Sequence, residues 1–166
     1  MEIPRENLLG PEGAGFASLM QQLPQERLAI AITSMAAAQC AFDATCTYVR
    51  ERKAFGQAVM DFQATRHRFA DLRADLSVGW AYVDQCLVLH VNGALDSTQA
   101  SIAKLWCSEM QGRLVDQCLQ PFGGYGVMKE YEICRLYADA RVQRIYGGTS
   151  EIMRELIGRS VADSRR

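Results

Sequence analysis

Two glycine-rich stretches, one basic stretch and one glutamate are the places in this 166-residue chain where residue type and spacing suggest chemistry. In RIYGGTSEIMREL, 144–156, Gly147 and Gly148 stand directly before a predicted helix start at Thr149, Ser150 and Glu151. Amides at a helix N-terminus hydrogen-bond anions and ligand oxygens, and glycines let a ligand approach the backbone. The same pair has a structural reading, with one glycine closing the preceding helix and Thr149 capping the next. PFGGYG, 121–126, offers a similar choice between a tight inter-helix turn and backbone open to a flat ring or a phosphate. RERKAFGQ, 50–57, sets Arg50, Arg52 and Lys53 at the end of a long helical stretch. Cations there complement the helix dipole or hold a pyrophosphate. Glu26, in LPQERL, reads first as a first-turn glutamate favoured by the dipole and second as a candidate general base.

Other chemistries find no support. His67 and His90 have no carboxylate or cysteine cluster at metal-ligand spacing, so no metal site is expected. Neither G-x-S-x-G nor a serine–histidine arrangement points to a hydrolase. Lys plus Arg number 18 and Asp plus Glu 19, a net charge of −1, which argues against nucleic acid or an anionic membrane as partner. No apolar run approaches ~20 residues, so no membrane span is expected. MEIPRENLLG lacks the basic and apolar regions of a signal peptide. Six cysteines show no C-x-x-C, and most read as reduced core residues. A reducing compartment follows, the cytosol or an organelle matrix.

The elements that must position these residues are helical. Residues 1–15 read as an irregular lead-in, a short helical turn is predicted at 16–22, and Pro24 interrupts or starts a helix. From there to Arg52 the chain has no glycine or proline beyond Pro24 and is rich in alanine. KAFGQAVMDFQ is a connector. The stretch 61–92 carries Phe62, Phe69, Leu76 and Val83 at steps of seven, with Leu72, Trp80 and Leu87 between them. Asp96 with Gln99 resembles a capping box opening a third helix, with Ile102, Leu105, Trp106, Met110 and Leu114 facing inward. PFGGYG marks its end. A shorter helix is predicted over 130–143 and a last one from about 150 to 162, with SRR fraying. No strand is predicted. The expectation is an all-α domain of up-down four-helix-bundle type with additional short helices, over residues 16–166.

Taken together and in this order, ERKAFGQAVMDFQ, PFGGYG and DARVQRIYGGTSEIMRELIGR resemble the C-terminal helical domain of the acyl-CoA dehydrogenase family. IPRENLLGPEGAGFASLMQQLPQERL extends the likeness over essentially the whole chain. LPQERL with IYGGTSEIM is most similar to the long-chain and isovaleryl-type branches. The resemblance implies a flavoenzyme that makes the trans-2-enoyl thioester from an acyl-CoA. A glutamate takes the α-proton and the flavin takes a hydride from the β-carbon. Most members carry that glutamate where this chain has Gly147, whereas the two similar branches place it at the position of Glu26. Gly147 would then leave space for Glu26 to reach into.

Carried over by position, FAD would meet Arg52, Gln63, Gln120, Pro121, Phe122, Gly123, Gly124, Thr149, Ser150 and Glu151. Arg52, Gln63 and the QPFGG segment would serve a partner subunit's flavin. Substrate would border Pro24, Gln25, Arg27, Tyr146, Gly147 and Gly148, with the Gly147 amide facing the enolate oxygen. Phe122 departs from the commoner histidine or cysteine. The resemblance further implies a homo-oligomer, dimer or tetramer, and an electron-transferring flavoprotein as acceptor. It implies that residues 1–15 are the tail of a β-domain, and that the fragment alone is inactive. A non-catalytic oligomerisation module and a relative with altered flavin chemistry are the alternatives.

Overall fold

A computed structural model describes residues 3–163; the SRR end and the first two residues lie outside the described residues. Five α-helices carry the fold: α1 Gly15–Glu51, α2 Gln63–Val91, α3 Ser97–Leu119, α4 Glu132–Ala140 and α5 Ser150–Asp163. Short 3-10 turns lie at Arg5–Asn7, Val59–Asp61, Gln120–Val127 and Val142–Arg144. The fold is all-α and of bundle type, as expected. The α1–α3 interface is the most extensive, α2 packs on both, α4 packs on α1 and α3, and α5 packs on α3.

The α1–α3 seam is made of small side chains. Ala31, Ala38, Ala41, Ala100, Ala103 and Cys107 are all buried, so the backbones approach closely and larger residues interdigitate around them. The inner face of α3 is therefore rotated from the expected one. Met110 and Leu114 are buried as predicted, but Ile102, Leu105 and Trp106 sit half-buried on the flanks. On α2 the seam runs Phe69, Leu72, Leu76, Gly79, Val83 and Cys86, with Trp80 and Leu87 beside it. Gly79 has a packing reason, since a Cβ there would lie 2.7 Å from Met35 and Trp106 side-chain atoms.

Two predicted breaks differ. Pro24 lies inside α1, which runs unbroken for 37 residues, about 56 Å at 1.5 Å per residue. Proline removes one helical N–H and leaves the Met20 carbonyl without its partner. Gln21, Gln22 and Met20 are exposed, where a carbonyl open to solvent is tolerated, and the helix continues. The connector, in turn, contains a small antiparallel hairpin pairing Lys53–Ala54 with Gln57–Ala58. Phe55 and Gly56 turn it at φ 51° and 84°, both left-handed, as a two-residue hairpin loop requires. Elsewhere the boundaries hold closely. Asp96 and Gln99 form the predicted capping box, each side chain bonding the other's backbone N–H at 2.7 and 3.1 Å.

One window of α1 is long and apolar enough to cross a membrane by length and composition, with mean hydropathy 1.3, contrary to the expectation of none. Half of that window is buried inside the bundle, which is the signature of a core helix.

Burial has a consequence for pH. The Cys107 and Cys118 thiols are pushed up to about 12 by desolvation. Burial likewise pushes the Tyr82 phenol to about 12. In the unfolded chain these thiols ionise near 9.0, so above that pH the unfolded state loses protons that the fold retains. The stability they contribute is complete below pH 9.0 and is lost as pH rises toward 12, at roughly 1.4 kcal/mol per pH unit for each thiol. Urea midpoints should fall steadily above pH 9, and the Cys107→Ala/Cys118→Ala chain should show a shallower decline. A midpoint flat to pH 11 would contradict this assignment.

Candidate active site

The Gly147-Gly148 turn reverses the chain between the Val142–Arg144 turn and α5, and both residues are left-handed, with φ 65° and 102°. Cations hold it from inside. Lys104 of α3, with no exposed surface, donates from Nζ to the Gly148 carbonyl at 2.7 Å. Arg27 of α1, 5 % exposed, reaches the Gly147 carbonyl from Nε at a long 3.5 Å. Its Nη1 donates to Ser97 and Ser101 hydroxyls at 3.1 and 3.2 Å. Burial pulls both cations below their ordinary values, opposed by Glu26 at Arg27 and chiefly by Glu109 at Lys104.

In a trans peptide the N–H points opposite to the C=O. With the Gly147 and Gly148 carbonyls turned toward buried cations, the Gly148 and Thr149 N–H groups point the other way. Among the described residues, Gly147, Gly148 and Thr149 donate no backbone hydrogen bond within the protein. Thr149 Oγ1 caps α5 through the Ile152 N–H at 3.4 Å. The exposed Glu151 carboxyl is held below its usual range mainly by its own backbone N–H and then by Thr149. A row of free amides thus precedes a helix N-terminus, an arrangement suited to ligand oxygens.

Glu109 of α3 fixes the far side of the turn. It accepts from Ser150 Oγ at 2.7 Å and faces Arg144 Nε at 3.3 Å and Arg154 Nη2 at 3.7 Å. Gly112, one turn along, makes room for Arg144: a Cβ there would lie 1.7 Å from its guanidinium. Ser150 is consequently buried and bonded inward, away from the turn's open side.

Glu26 is exposed near the start of α1 and lies one helical turn before Ile30 on the same face. Ile30 Cδ1 sits 2.3 Å from where a Gly147 Cβ would be. The space expected for the glutamate beside Gly147 is therefore taken by the Ile30 methyl, and Glu26 stands one turn further along the same face. Pro24 is half-buried and Gln25 exposed at this end of α1; Tyr146 is exposed, its hydroxyl bonding Gln143 Oε1 at 2.5 Å. Arg27 contributes from behind the turn, not from its open side.

The remaining predicted residues gather elsewhere. An open groove of about 540 Å³ is lined by Tyr48, Arg52, Pro121–Tyr125 and Met128. Phe122 is buried in its floor, stacked on Tyr48 at 4.0 Å and meeting the edge of Tyr131 at 6.0 Å. An aromatic at 122 therefore packs into the bundle and supplies no polar side-chain contact. Gly123 breaks the 3-10 turn with φ 57°. Gln63 and Gln120 are exposed and do not line the groove. Along α1, Ile30 and Arg52 are 22 residues apart, about 33 Å. The two glycine loops of one chain are thus too far apart to hold one dinucleotide together.

Sequence reading missed Ile30, Tyr48, Lys104, Glu109 and Arg144. A lysine in register with Ala100 and Ser108 on the inner side of α3 was the available signal for Lys104.

Residues 13–162 match the family description "Acyl-CoA dehydrogenase, C-terminal domain". The chain belongs to the acyl-CoA dehydrogenase family. It is 50 % identical over 161 residues to the rat long-chain specific acyl-CoA dehydrogenase, covering 97 % of this chain and 37 % of the relative. It is 37 % identical over 157 residues to subunit CarC of the caffeyl-CoA reductase–Etf complex of Acetobacterium woodii, covering 95 % of this chain and 41 % of the relative. Among solved structures it superposes on an acyl-CoA dehydrogenase from Geobacillus kaustophilus with TM-score 0.94 and 43 % identity, over 96 % and 42 % of the two chains. An acyl-CoA dehydrogenase complexed with FAD from Bacillus anthracis gives TM-score 0.91 at 27 % identity, over 98 % and 31 % of the chains. The chain spans about two fifths of the length of the curated relatives.

The contact at Gly147 yields a test within the chain itself. Gly147→Ala combines a left-handed φ with the Ile30 methyl and should cost about 1–3 kcal/mol. Adding Ile30→Val, which deletes the facing methyl, should make the double variant more stable than the sum of the two single losses predicts. Strict additivity in urea unfolding would show that the contact does not constrain position 147.

Proposed function

We propose that this chain is the catalytic C-terminal domain of an FAD-dependent acyl-CoA dehydrogenase, removing two hydrogens from the α- and β-carbons of an acyl-CoA. The observation that carries this reading is the row of free amides at 147–149 beside the α1 face bearing Glu26. When bound, the flavin supplies the hydride acceptor for the β-carbon. Glu26 is the base: its carboxylate takes the α-proton, and the α–β double bond forms as the β-hydrogen leaves with its electron pair. An α-proton of a thioester is a weak acid, so the base works only when oriented and dry. The exposed Glu26 meets that condition when bound substrate covers it. The Gly147 amide stabilises the developing enolate oxygen with a preorganised donor. Pro24, Gln25, Tyr146 and Gly148 border the substrate, while Arg27 sets the turn from behind.

The fit to FAD rests on chemistry present in the chain. Thr149 and Glu151 stand at a helix N-terminus with free amides before it, suited to the dinucleotide's oxygens. Arg52 above the glycine backbone of the 540 Å³ groove suits a phosphate flanked by a flat ring. Because these places lie about 33 Å apart along α1, the second serves the flavin of another copy, with Gln63 and Gln120 at its margin. That separation supports a homo-oligomer, dimer or tetramer. Fatty acid β-oxidation is the reading favoured by likeness to the long-chain enzymes, which are named as mitochondrial. An electron-transferring flavoprotein is the proposed acceptor, in line with the Etf complex to which CarC belongs.

A chimera tests the base. With residues 13–162 replacing the matching domain of a long-chain relative, Glu26→Gln should lower kcat at least ~1,000-fold and leave flavin content unchanged. Activity retained by that variant would place the base elsewhere. The 166-residue chain by itself should bind FAD weakly and show no turnover, since it spans only about two fifths of the length of the curated relatives. Stoichiometric yellow cofactor with dehydrogenase activity in the purified chain would refute that.

A further inference from the structure

We infer that Lys104 is a positioning residue for the glycine turn, its ammonium fixing the Gly148–Thr149 peptide plane so that the Thr149 N–H stays presented to a ligand oxygen. The assignment of that oxygen to a dinucleotide rests on the functional reading above; the coupling of Lys104 to the turn does not. Lys104 is fully buried, and its Nζ lies 2.7 Å from the Gly148 carbonyl. Among the described residues no carboxylate comes within ion-pair distance of it. An ammonium taken out of water without a direct counter-ion is costly, and a methionine of similar length would fill the same space at lower cost. What a methionine lacks is a charged donor for a carbonyl. Gly148 presents such a carbonyl: its φ of 102° is one that glycine adopts and other residues rarely do, and no other hydrogen bond to its carbonyl is found in the described residues.

Flipping this peptide would turn the carbonyl outward and withdraw the N–H. Lys104 opposes that flip with a charge-assisted bond, about twice as strong as a neutral one. Arg27 holds the preceding carbonyl only at 3.5 Å, so the shorter bond from Lys104 is the firmer restraint on the turn. The charged groups facing Lys104 are Glu109 on its own helix, Arg27 on α1 and Glu151 on α5. Desolvation is the largest influence on it and favours the neutral amine, so the ammonium is lost at lower pH than at an exposed lysine. Above that point the bond to Gly148 weakens and the peptide plane gains freedom.

Carbon-detected NMR of the 166-residue chain tests this without flavin or acyl-CoA. The Lys104 13Cε, Gly148 13C′ and Thr149 15N signals should titrate with one midpoint, below the ordinary lysine value. Lys104→Met should shift the Gly148 and Thr149 signals at neutral pH and abolish their titration, leaving Gly123 at the other loop unmoved. Lys104→Arg should restore the neutral-pH positions. A Gly148 13C′ signal that ignores the Lys104 titration in the wild-type chain overturns the inference, even if the methionine variant fails to fold. Coupled titration in a chain whose chimera proves inactive would leave Lys104 in this role and count against the dehydrogenase reading alone.

Discussion

Two buried cations pressed against two glycine carbonyls are the constraint on which the candidate site depends. Lys104 and Arg27 come from different helices, and each spends a desolvated charge on backbone of the same turn. Their placement requires α1 and α3 to be closely packed, and the alanine and cysteine seam between those helices provides that. Composition of the core and geometry of the site are therefore one problem. A bulkier α1–α3 seam would move Arg27 and Lys104 apart and release the turn that both hold.

The same turn explains the use of glycine at 147 and 148. Both backbones are left-handed, which most side chains oppose, and the Ile30 methyl stands where a Gly147 Cβ would go. On the proposed reading this position supplies an amide and the base is Glu26 on α1, a turn away from Ile30. That reading leaves the loop a single task, presenting donors, which suits a turn anchored at its carbonyls by Lys104 and Arg27.

Much of the fold was legible because it is written in local signals. Phe69, Leu76 and Val83 at steps of seven gave α2, and the Asp96–Gln99 box gave the start of α3 to the residue. Pro24 misled because proline's cost falls on one carbonyl, and a carbonyl open to solvent is tolerated. The inner face of α3 was misjudged because large apolar residues were expected to mark it, whereas close packing selected Ala100, Ala103 and Cys107. At the site, the glycines stood out by type. Lys104 and Glu109 did not, because a charged residue inside a helix is ordinary in sequence and unusual only once burial is known.

The separation of the two glycine loops carries a consequence for assembly. α1 connects them as a single rigid rod, with Ile30 beside one and Arg52 at the other, some 33 Å along its axis. Each loop has the chemistry of half a dinucleotide site: free amides at a helix start in one, arginine over glycine backbone and aromatic rings in the other. Within one chain neither half can complete the other, since the helix between them has no hinge: Pro24 lies before Ile30, and no glycine or proline falls from there to Arg52. On the proposed reading the halves become one site when the arginine end of one copy meets the amide end of another. That reading links assembly and cofactor binding through the same residues, so that weakening either loop should weaken both.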